Sequence, residues 1–146
     1  MKTDDKIRNR MQITLPALSE NEAAARSVCA AFAAQLNPTI EELADIKCAV
    51  SEAITNCIVH AYGGRGGIIY ITVTLYHDRS LRIDIRDKGC GIADIGLAMQ
   101  PLYTTDQSGE RSGMGFPVMQ TFMDSLTVRS RVGAGTKLVM RKKLSA

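Results

Sequence analysis

The segment LRIDIRDKGCGI, residues 81–92, places a carboxylate where a core side chain belongs. From position 81 to 86, apolar residues alternate with charged ones, and this period of two predicts a half-buried β-strand. The next position on the apolar face is Asp87, directly before Gly89 and Gly91. The pattern alone leaves two interpretations open: Asp87 caps the following turn, or it belongs to a polar site at the end of the strand.

The order of predicted elements indicates an α+β fold. Alternation predicts a first strand at residues 11–15 that ends at Pro16, and capping boxes at SENE (19–22) and TIEE (39–42) predict two helix starts. Further elements are a long second helix up to the glycine-rich turn at 62–67, strands at 68–76 and 81–87, a short helix near 94–99, a helix at 117–124, and strands at about 126–132 and 136–142. Strict βαβ alternation is absent, so we expect a two-layer α/β sandwich, one sheet covered on one face by three helices.

Composition and charge are those of an ordinary globular protein. The 146 residues suit one domain, 1–146, with a flexible start at 1–9, and 45% of them are hydrophobic. The net charge of +3 is interspersed along the chain and only 5% of residues are aromatic, which argues against direct nucleic-acid binding. No signal peptide or membrane-spanning apolar run is present, so we expect a cytoplasmic protein without membrane contact.

The four cysteines are spaced as isolated residues. They are Cys29, Cys48, Cys57 and Cys90, and no two of them form a CxxC pair. We therefore expect small, buried, reduced side chains and no structural metal.

A polar stripe runs along the predicted second helix. Glu52, Asn56 and His60 are four residues apart and so share one side of the helix, flanked by small apolar residues. Asparagine is a poor helix former without a local reason to stand there. A solvated face and a polar notch both remain possible on this pattern.

Two glycine pairs suggest close approach to a ligand. Gly89 and Gly91 remove two side chains after the strand, and Gly113 and Gly115 stand before a predicted helix, whose N-terminus suits phosphate oxygens. Each signal is weak alone because most such pairs are only turns. Neither a Walker nor a Rossmann glycine motif is present.

Taken together, four motifs resemble those of the GHKL ATPase superfamily, which includes DNA gyrase, histidine kinases and heat-shock chaperones. They are SEAITNCIVHAY (51–62), RDKGCGI (86–92), PLYTTDQSGERSGMGF (101–116) and GAGT (133–136). Within it, the short chain and the SENEAAAR segment are similar to the sporulation anti-sigma factors that act as serine protein kinases. The resemblance covers about residues 7–142. It implies a Bergerat-type fold with a mixed, mostly antiparallel sheet, and binding of ATP or ADP with Mg²⁺.

At the adenine end, the resemblance implies that Asp87 accepts a hydrogen bond from the exocyclic amino group. Gly89 and Gly91 would let the base lie against the backbone. Thr136 would bond on the adenine side, directly or through water, with a threonine that merely starts the last strand as the alternative. A buried carboxylate without a partner is costly, so a site completed by its ligand would account for Asp87.

At the phosphate end, the resemblance implies that Asn56 ligates Mg²⁺ through its amide oxygen, a hard ligand of the kind this ion prefers. Glu52, one turn earlier, would act as the base or orient the seryl hydroxyl that attacks the γ-phosphate. His60 would line the same site, and the alternative is a histidine that interacts with the helix dipole.

Residues 101–112 would form a lid over the triphosphate. The implied phosphate contacts are the hydroxyls of Thr104, Thr105 and Ser112, the guanidinium of Arg111, and the backbone N–H groups at Gly113 and Gly115. For Arg111, an ion pair with Glu110 is the alternative. Pro117 departs from the family pattern and removes one N–H donor from this region.

The resemblance also implies partners: a sigma factor that is held inactive, and an anti-anti-sigma antagonist that is phosphorylated on serine. Arg26, expected on the exposed side of the first helix, is a candidate partner contact, with a merely solvated arginine as the alternative. A homodimer through the first strand or helix is expected. The rival functions are a general-stress anti-sigma kinase, an ATP-binding module without phosphotransfer, which does not need Glu52, and a detached histidine-kinase domain, which lacks a phosphoacceptor helix.

Overall fold

The computed structural model describes residues 6–100 and 115–145. The strands are β1 (Ile7–Pro16), β2 (Ile68–Tyr76), β3 (Ser80–Asp87), β4 (Ser125–Arg131) and β5 (Gly135–Lys143). The helices are α1 (Asn21–Ala33), α2 (Ile40–Thr55), α3 (Ile95–Ala98) and α4 (Gly115–Phe122), with a 3₁₀ turn at Ala34–Leu36 and a π turn at Asn56–Ala61. Residues 7–9, which belong to the start expected to be flexible, lie in β1.

The sheet has the order β1-β2-β3-β5-β4. Every pairing between these strands is antiparallel, so the expectation of a mixed sheet is wrong for the described residues. Hairpins explain two of the pairings, β2 with β3 and β4 with β5. Because β5 lies between β4 and β3, Thr136 is brought opposite Asp87, 49 residues away in sequence.

The apolar face of the sheet is covered by helices, as the alternation predicts. Ile71, Val73, Ile83 and Ile85 are buried in the core. Helix α2 packs against both α1 and α4, so these three helices form the covering layer. The predicted two-layer α/β architecture is thereby confirmed.

The open face of the sheet is polar and more basic than the interspersed charge suggests. A depression of about 430 Å³ there is lined by four basic side chains and a single carboxylate: Arg10, Arg82, Arg86, Lys137 and Asp84. Alternating positions along different strands share one face, and this gathers charges that are scattered in the sequence. Asp87 belongs to the buried, helix-covered set of β3, so this depression lies on the other side of the sheet.

One of the two predicted capping boxes is present. The Thr39 side chain accepts from the N–H of Glu42, and the Glu42 carboxylate accepts from the N–H of Thr39. The box predicted at Ser19 is wrong, because the Ser19 backbone carbonyl takes the Glu22 N–H and no side chain caps α1. Glu22 instead pairs with Arg26 at 3.5 Å.

The predicted second helix changes character at Asn56. The α-helix ends at Thr55 and continues as the π turn, whose last bond runs from the N–H of Tyr62 to the carbonyl of Cys57. A straight α-helical stripe through His60 was therefore the wrong geometry. Single π turns of this kind are frequent at functional sites.

Two of the four free cysteines are buried and two are exposed. Cys29 and Cys57 are buried, as expected, and burial raises the pKa of Cys29 to about 12. Cys48 and Cys90 are exposed, which corrects the expectation for them: Cys48 lies on the outer side of α2 and Cys90 in the loop after β3.

Residues 6–100 and 115–145 include neither a helix long and apolar enough to cross a membrane nor a group of three His, Cys, Asp or Glu side chains placed to hold a metal ion.

Candidate functional site

Asp87 ends β3 on the buried face, and only 5% of its surface is exposed. Its Oδ1 accepts hydrogen bonds from the backbone N–H groups of Gly89, at 2.9 Å, and Thr136, at 3.2 Å. The bond from Gly89 shows that Asp87 does cap the following turn, one of the two interpretations that the sequence left open. Asp87 is therefore not the unpartnered carboxylate that was expected. Since both backbone donors point at Oδ1, Oδ2 is the oxygen that no backbone donor engages.

The surroundings of Asp87 disfavour its charge. Burial raises the pKa of this carboxyl group, and hydrogen bonds from Gly89, Cys57 and Thr136 oppose the shift. The thiol of Cys57 has its pKa raised well above the usual value, chiefly by burial and then by the charge of Asp87. Cys57 therefore stays a neutral thiol and donates to the carboxylate.

Thr136 belongs to a short hydroxyl network. Its Oγ1 lies 2.7 Å from Oγ of Ser130, which accepts from the N–H of Ile92 at 2.7 Å and donates to the carbonyl of Gly135 at 3.0 Å. Either hydroxyl can be the donor between the two; with the single Ser130 hydroxyl proton on the carbonyl of Gly135, Thr136 is the donor. Thr136 Oγ1 then keeps lone pairs that can accept from a ligand or water.

The glycines after β3 are required by the chain's own packing. A Cβ at Gly89 would collide with the carbonyl of Ala61, and one at Gly91 would collide with the carbonyl of Arg131. Gly91 also has a φ of +78°, which side chains rarely adopt. Close contact with the π turn and β4 is therefore a structural reason for these glycines, and room for a base stays a prediction from the sequence.

Asn56 faces the start of α4. A Cβ at Gly115 would lie 3.2 Å from both amide atoms of Asn56, so the glycine lets the helix N-terminus sit against that amide. Glu52 is half-buried in the last turn of α2, and its carbonyl accepts from the N–H of Asn56. Of the two interpretations that the stripe left open, these contacts favour the polar notch at Asn56 over a solvated face.

The donor set at this notch fits a magnesium ion shared with phosphates. Mg²⁺ takes oxygen ligands, keeps several waters, and is commonly held by one or two protein groups together with substrate phosphates. The amide oxygen of Asn56 is of this ligand type, and it lies beside a helix end that favours negative charge.

Two further predicted residues have contacts that the sequence did not reveal. Arg26 is not on a fully exposed side of α1: its side chain is 37% exposed, and its guanidinium donates to Ser51 Oγ at 3.2 Å. Ser51 directly precedes Glu52, so Arg26 lies against the same part of α2. His60 is half-buried in the π turn, and its carbonyl accepts from the thiol of Cys90 at 3.3 Å.

The whole predicted lid, residues 101–112, lies outside the described residues, as does Gly113. The site residues concerned are Thr104, Thr105, Arg111, Ser112 and Gly113. Their phosphate contacts stay predictions from the sequence.

Three contact residues were missed from the sequence. Cys57 bonds Asp87, Ser130 bonds Thr136, and the hydroxyl of Tyr62 accepts from the N–H of Lys88. Only Tyr62 had a usable signal, because it follows the polar stripe and is the first residue of the glycine-rich turn.

Comparison with known proteins agrees with this geometry. Residues 15–142 match the family model of the histidine kinase-like ATPase domain. An anti-sigma F factor of Clostridium acetobutylicum is 49% identical over 139 residues, which cover 95% of this chain and 96% of the relative. One of Caldanaerobacter subterraneus is 56% identical over 134 residues, covering 92% and 93%. The chain belongs to the anti-sigma F factor family.

Solved structures support the same fold for this anti-sigma F factor family member. The RsbU and RsbW domains of a Mycobacterium tuberculosis protein match with a TM-score of 0.67 at 19% identity, covering 93% of this chain and 32% of that one. The catalytic domain of the histidine kinase ThkA matches at 0.53 and 15%, covering 93% and 96%. As a member of this family with a histidine kinase-like ATPase domain, the chain has a nucleotide-binding fold.

Proposed function

We propose that this chain binds and inhibits a sporulation sigma factor and, with ATP and Mg²⁺, phosphorylates a serine of its anti-anti-sigma antagonist. One observation carries the nucleotide part: a buried carboxylate held through Oδ1 beside Thr136, on a fold of the histidine kinase-like ATPase type. The partner assignment is supported by curated relatives that are about half identical and named anti-sigma F factor.

Adenine recognition is assigned to Asp87 and Thr136. The exocyclic amino group would donate to Asp87 Oδ2, the oxygen free of backbone donors. Thr136 Oγ1 would accept from the base or from a bridging water in the arrangement in which its own proton goes to Ser130. A hydrogen bond to an ionised group is stronger than a neutral one, so Asp87 dominates selectivity.

The phosphates would extend toward the start of α4. Backbone N–H groups at Gly115 favour negative charge there, and Asn56 would hold Mg²⁺. The ion would neutralise charge on the β- and γ-phosphates. His60 would line the same end of the site.

Glu52 is assigned as the base. It would accept the proton of the seryl hydroxyl while the serine oxygen bonds to the γ-phosphorus. The bond from that phosphorus to the β–γ bridging oxygen breaks, and ADP keeps the electron pair. Arg26, packed on Ser51 beside Glu52, would contact the protein partners from the same side, and a homodimer would bring two such sites together.

Replacing Asn56 with alanine is expected to remove the magnesium dependence of nucleotide binding, because the amide oxygen is the proposed protein ligand. ATP affinity is measured by calorimetry with Mg²⁺ and with a chelator in its place. The wild type should bind more tightly with the ion, and Asn56→Ala should show little difference. Asn56→Asp, which keeps an oxygen at this position, is the matched control. A magnesium titration of Asn56→Ala that matches the wild type would count against the assignment.

The whole function is tested by incubating the protein with ATP labelled in the γ-phosphate and an extract of the host cell. We expect one small protein to become labelled on serine, and a sigma factor to co-purify when nucleotide is present. Retention of the sigma factor without any labelled protein would instead support an ATP-binding module that transfers no phosphate.

A further inference from the structure

The hydroxyl of Tyr62 bridges two strands beside the candidate site. It accepts from the N–H of Lys88, just after β3, at 2.7 Å and donates to the carbonyl of Ile68, the first residue of β2, at 2.6 Å. A single phenol oxygen therefore connects the ends of neighbouring strands.

The register of the sheet shows what this bridge replaces. Tyr70 is opposite Arg86, and two residues further along the same register Ile68 would be opposite Lys88. Strand β2 still pairs with β1 at Ile68, but its pairing with β3 stops at Tyr70. The hydroxyl thus joins the N–H and carbonyl groups that would bond to each other if the β2–β3 ladder continued, and it holds the strands apart there.

The bridge completes a set of three consecutive anchored amides. The N–H of Lys88 goes to Tyr62, that of Gly89 to Asp87 Oδ1, and that of Cys90 to the carbonyl of Ala61 at 2.9 Å. Two neighbouring residues at the end of the π turn therefore hold the loop on both sides of Gly89. Of these two residues, Ala61 anchors the loop through its backbone carbonyl and Tyr62 through its side-chain hydroxyl.

The packing of Tyr62 is specific to its ring. A Cβ at Gly67 would overlap the ring, so this glycine is what lets the phenol reach between the strands. The π turn sets the starting point of the side chain, since the N–H of Tyr62 bonds to the carbonyl of Cys57.

We propose that Tyr62 is a positioning residue for nucleotide selectivity: by separating β2 from β3 at Ile68 and Lys88, its hydroxyl fixes Asp87 Oδ2 where the adenine amino group is read. This rests on the proposed nucleotide function of Asp87. Tyr62 touches no nucleotide itself and acts through the loop at residues 88–90. Without the hydroxyl, β2 and β3 can pair directly at Ile68 and Lys88, or the loop at residues 88–90 can become more mobile. Either change displaces the Asp87 carboxylate.

The test compares ATP with inosine triphosphate, in which a carbonyl replaces the adenine amino group. We expect Tyr62→Phe to weaken ATP binding about tenfold and to leave inosine triphosphate binding nearly unchanged, so that the ratio of the two affinities falls. Tyr76→Phe removes a hydroxyl at the opposite end of β2 and should leave that ratio as in the wild type. Melting curves without nucleotide confirm that each variant is folded at the temperature of the titration.

A merely structural role would weaken both nucleotides equally, and an unchanged ratio in Tyr62→Phe would overturn the proposal. If Tyr62→Phe does not fold, Gly67→Ala displaces the ring with the hydroxyl intact and should lower the ratio in the same way. Asp87→Asn in the same series separates the two claims. An unaltered ratio in Asp87→Asn refutes the adenine assignment, whereas a ratio lost in Asp87→Asn but kept in Tyr62→Phe refutes only the role of Tyr62.

Discussion

Asp87→Asn is expected to abolish measurable ATP binding, with a loss of about a hundredfold or more, while the protein stays folded. Both backbone donors at this position point at Oδ1, and the amide oxygen of asparagine can accept from Gly89 and Thr136 in the same way. The substitution therefore alters the group at the position of Oδ2. An N–H₂ group replaces the oxygen that would accept from adenine, and two donors then face each other.

The same substitution is expected to leave the nucleotide-free protein at least as stable. The pKa of Asp87 is raised by burial, so the folded protein holds a proton more tightly than the unfolded chain does. Between the ordinary pKa and the raised one, the free energy of unfolding therefore falls as pH rises, and the cost of the buried charge is full above the raised value. Thermal unfolding followed across that acidic range should show this component in the wild type and not in Asp87→Asn.

Asp84→Asn is the matched control. Asp84 lies on the same strand but on the open face of the sheet, where it pairs with Arg82 and Lys137. We expect its ATP affinity by calorimetry to equal that of the wild type. Unchanged affinity in Asp87→Asn itself would refute the adenine assignment.

Glu52→Gln is expected to bind ATP with Mg²⁺ and the sigma factor normally but to transfer phosphate at least about a hundredfold more slowly. Glutamine has nearly the same shape and retains hydrogen-bonding groups, yet it cannot accept the seryl proton at neutral pH. Binding and chemistry are thus separated in one variant. Calorimetry measures the first, and labelled phosphate on the antagonist measures the second.

Glu41→Gln is the control for this variant, because Glu41 is an exposed residue in the first turn of the same helix. It should transfer phosphate as the wild type does. If Glu52→Gln also labels the antagonist at the wild-type rate, the base is another group.

Local patterns predicted most of the fold. Strict alternation located β3, and a threonine with a glutamate three residues later located the start of α2. The same reasoning failed at Ser19. There the N–H of Glu22 bonds to the backbone carbonyl of Ser19 in a turn, and the Ser19 side chain caps no helix. It failed at Asn56 too, where the α-helix gives way to a π turn that no helical period reveals.

The sequence pointed to candidate site residues at positions where the residue type did not fit the local pattern. Asp87 on an apolar face and Asn56 within a helix both stood out in the sequence. The contact of Ser130 with Thr136 follows from the pairing of β4 with β5, and the contacts of Cys57 with Asp87 and of Tyr62 with Lys88 join segments far apart in sequence. Of these three residues, only Tyr62 carried a local signal. For the same reason, no local pattern showed that Gly89 and Gly91 lie against the carbonyl groups of Ala61 and Arg131.

The most direct test of the account is a titration of inosine triphosphate into the wild type and Asp87→Asn. The account predicts a reversal: the wild type prefers ATP, whereas Asp87→Asn, whose amide can donate to the carbonyl of inosine, prefers inosine triphosphate. Equal preference for ATP in both proteins would contradict recognition of adenine by Asp87, and with it the proposed site.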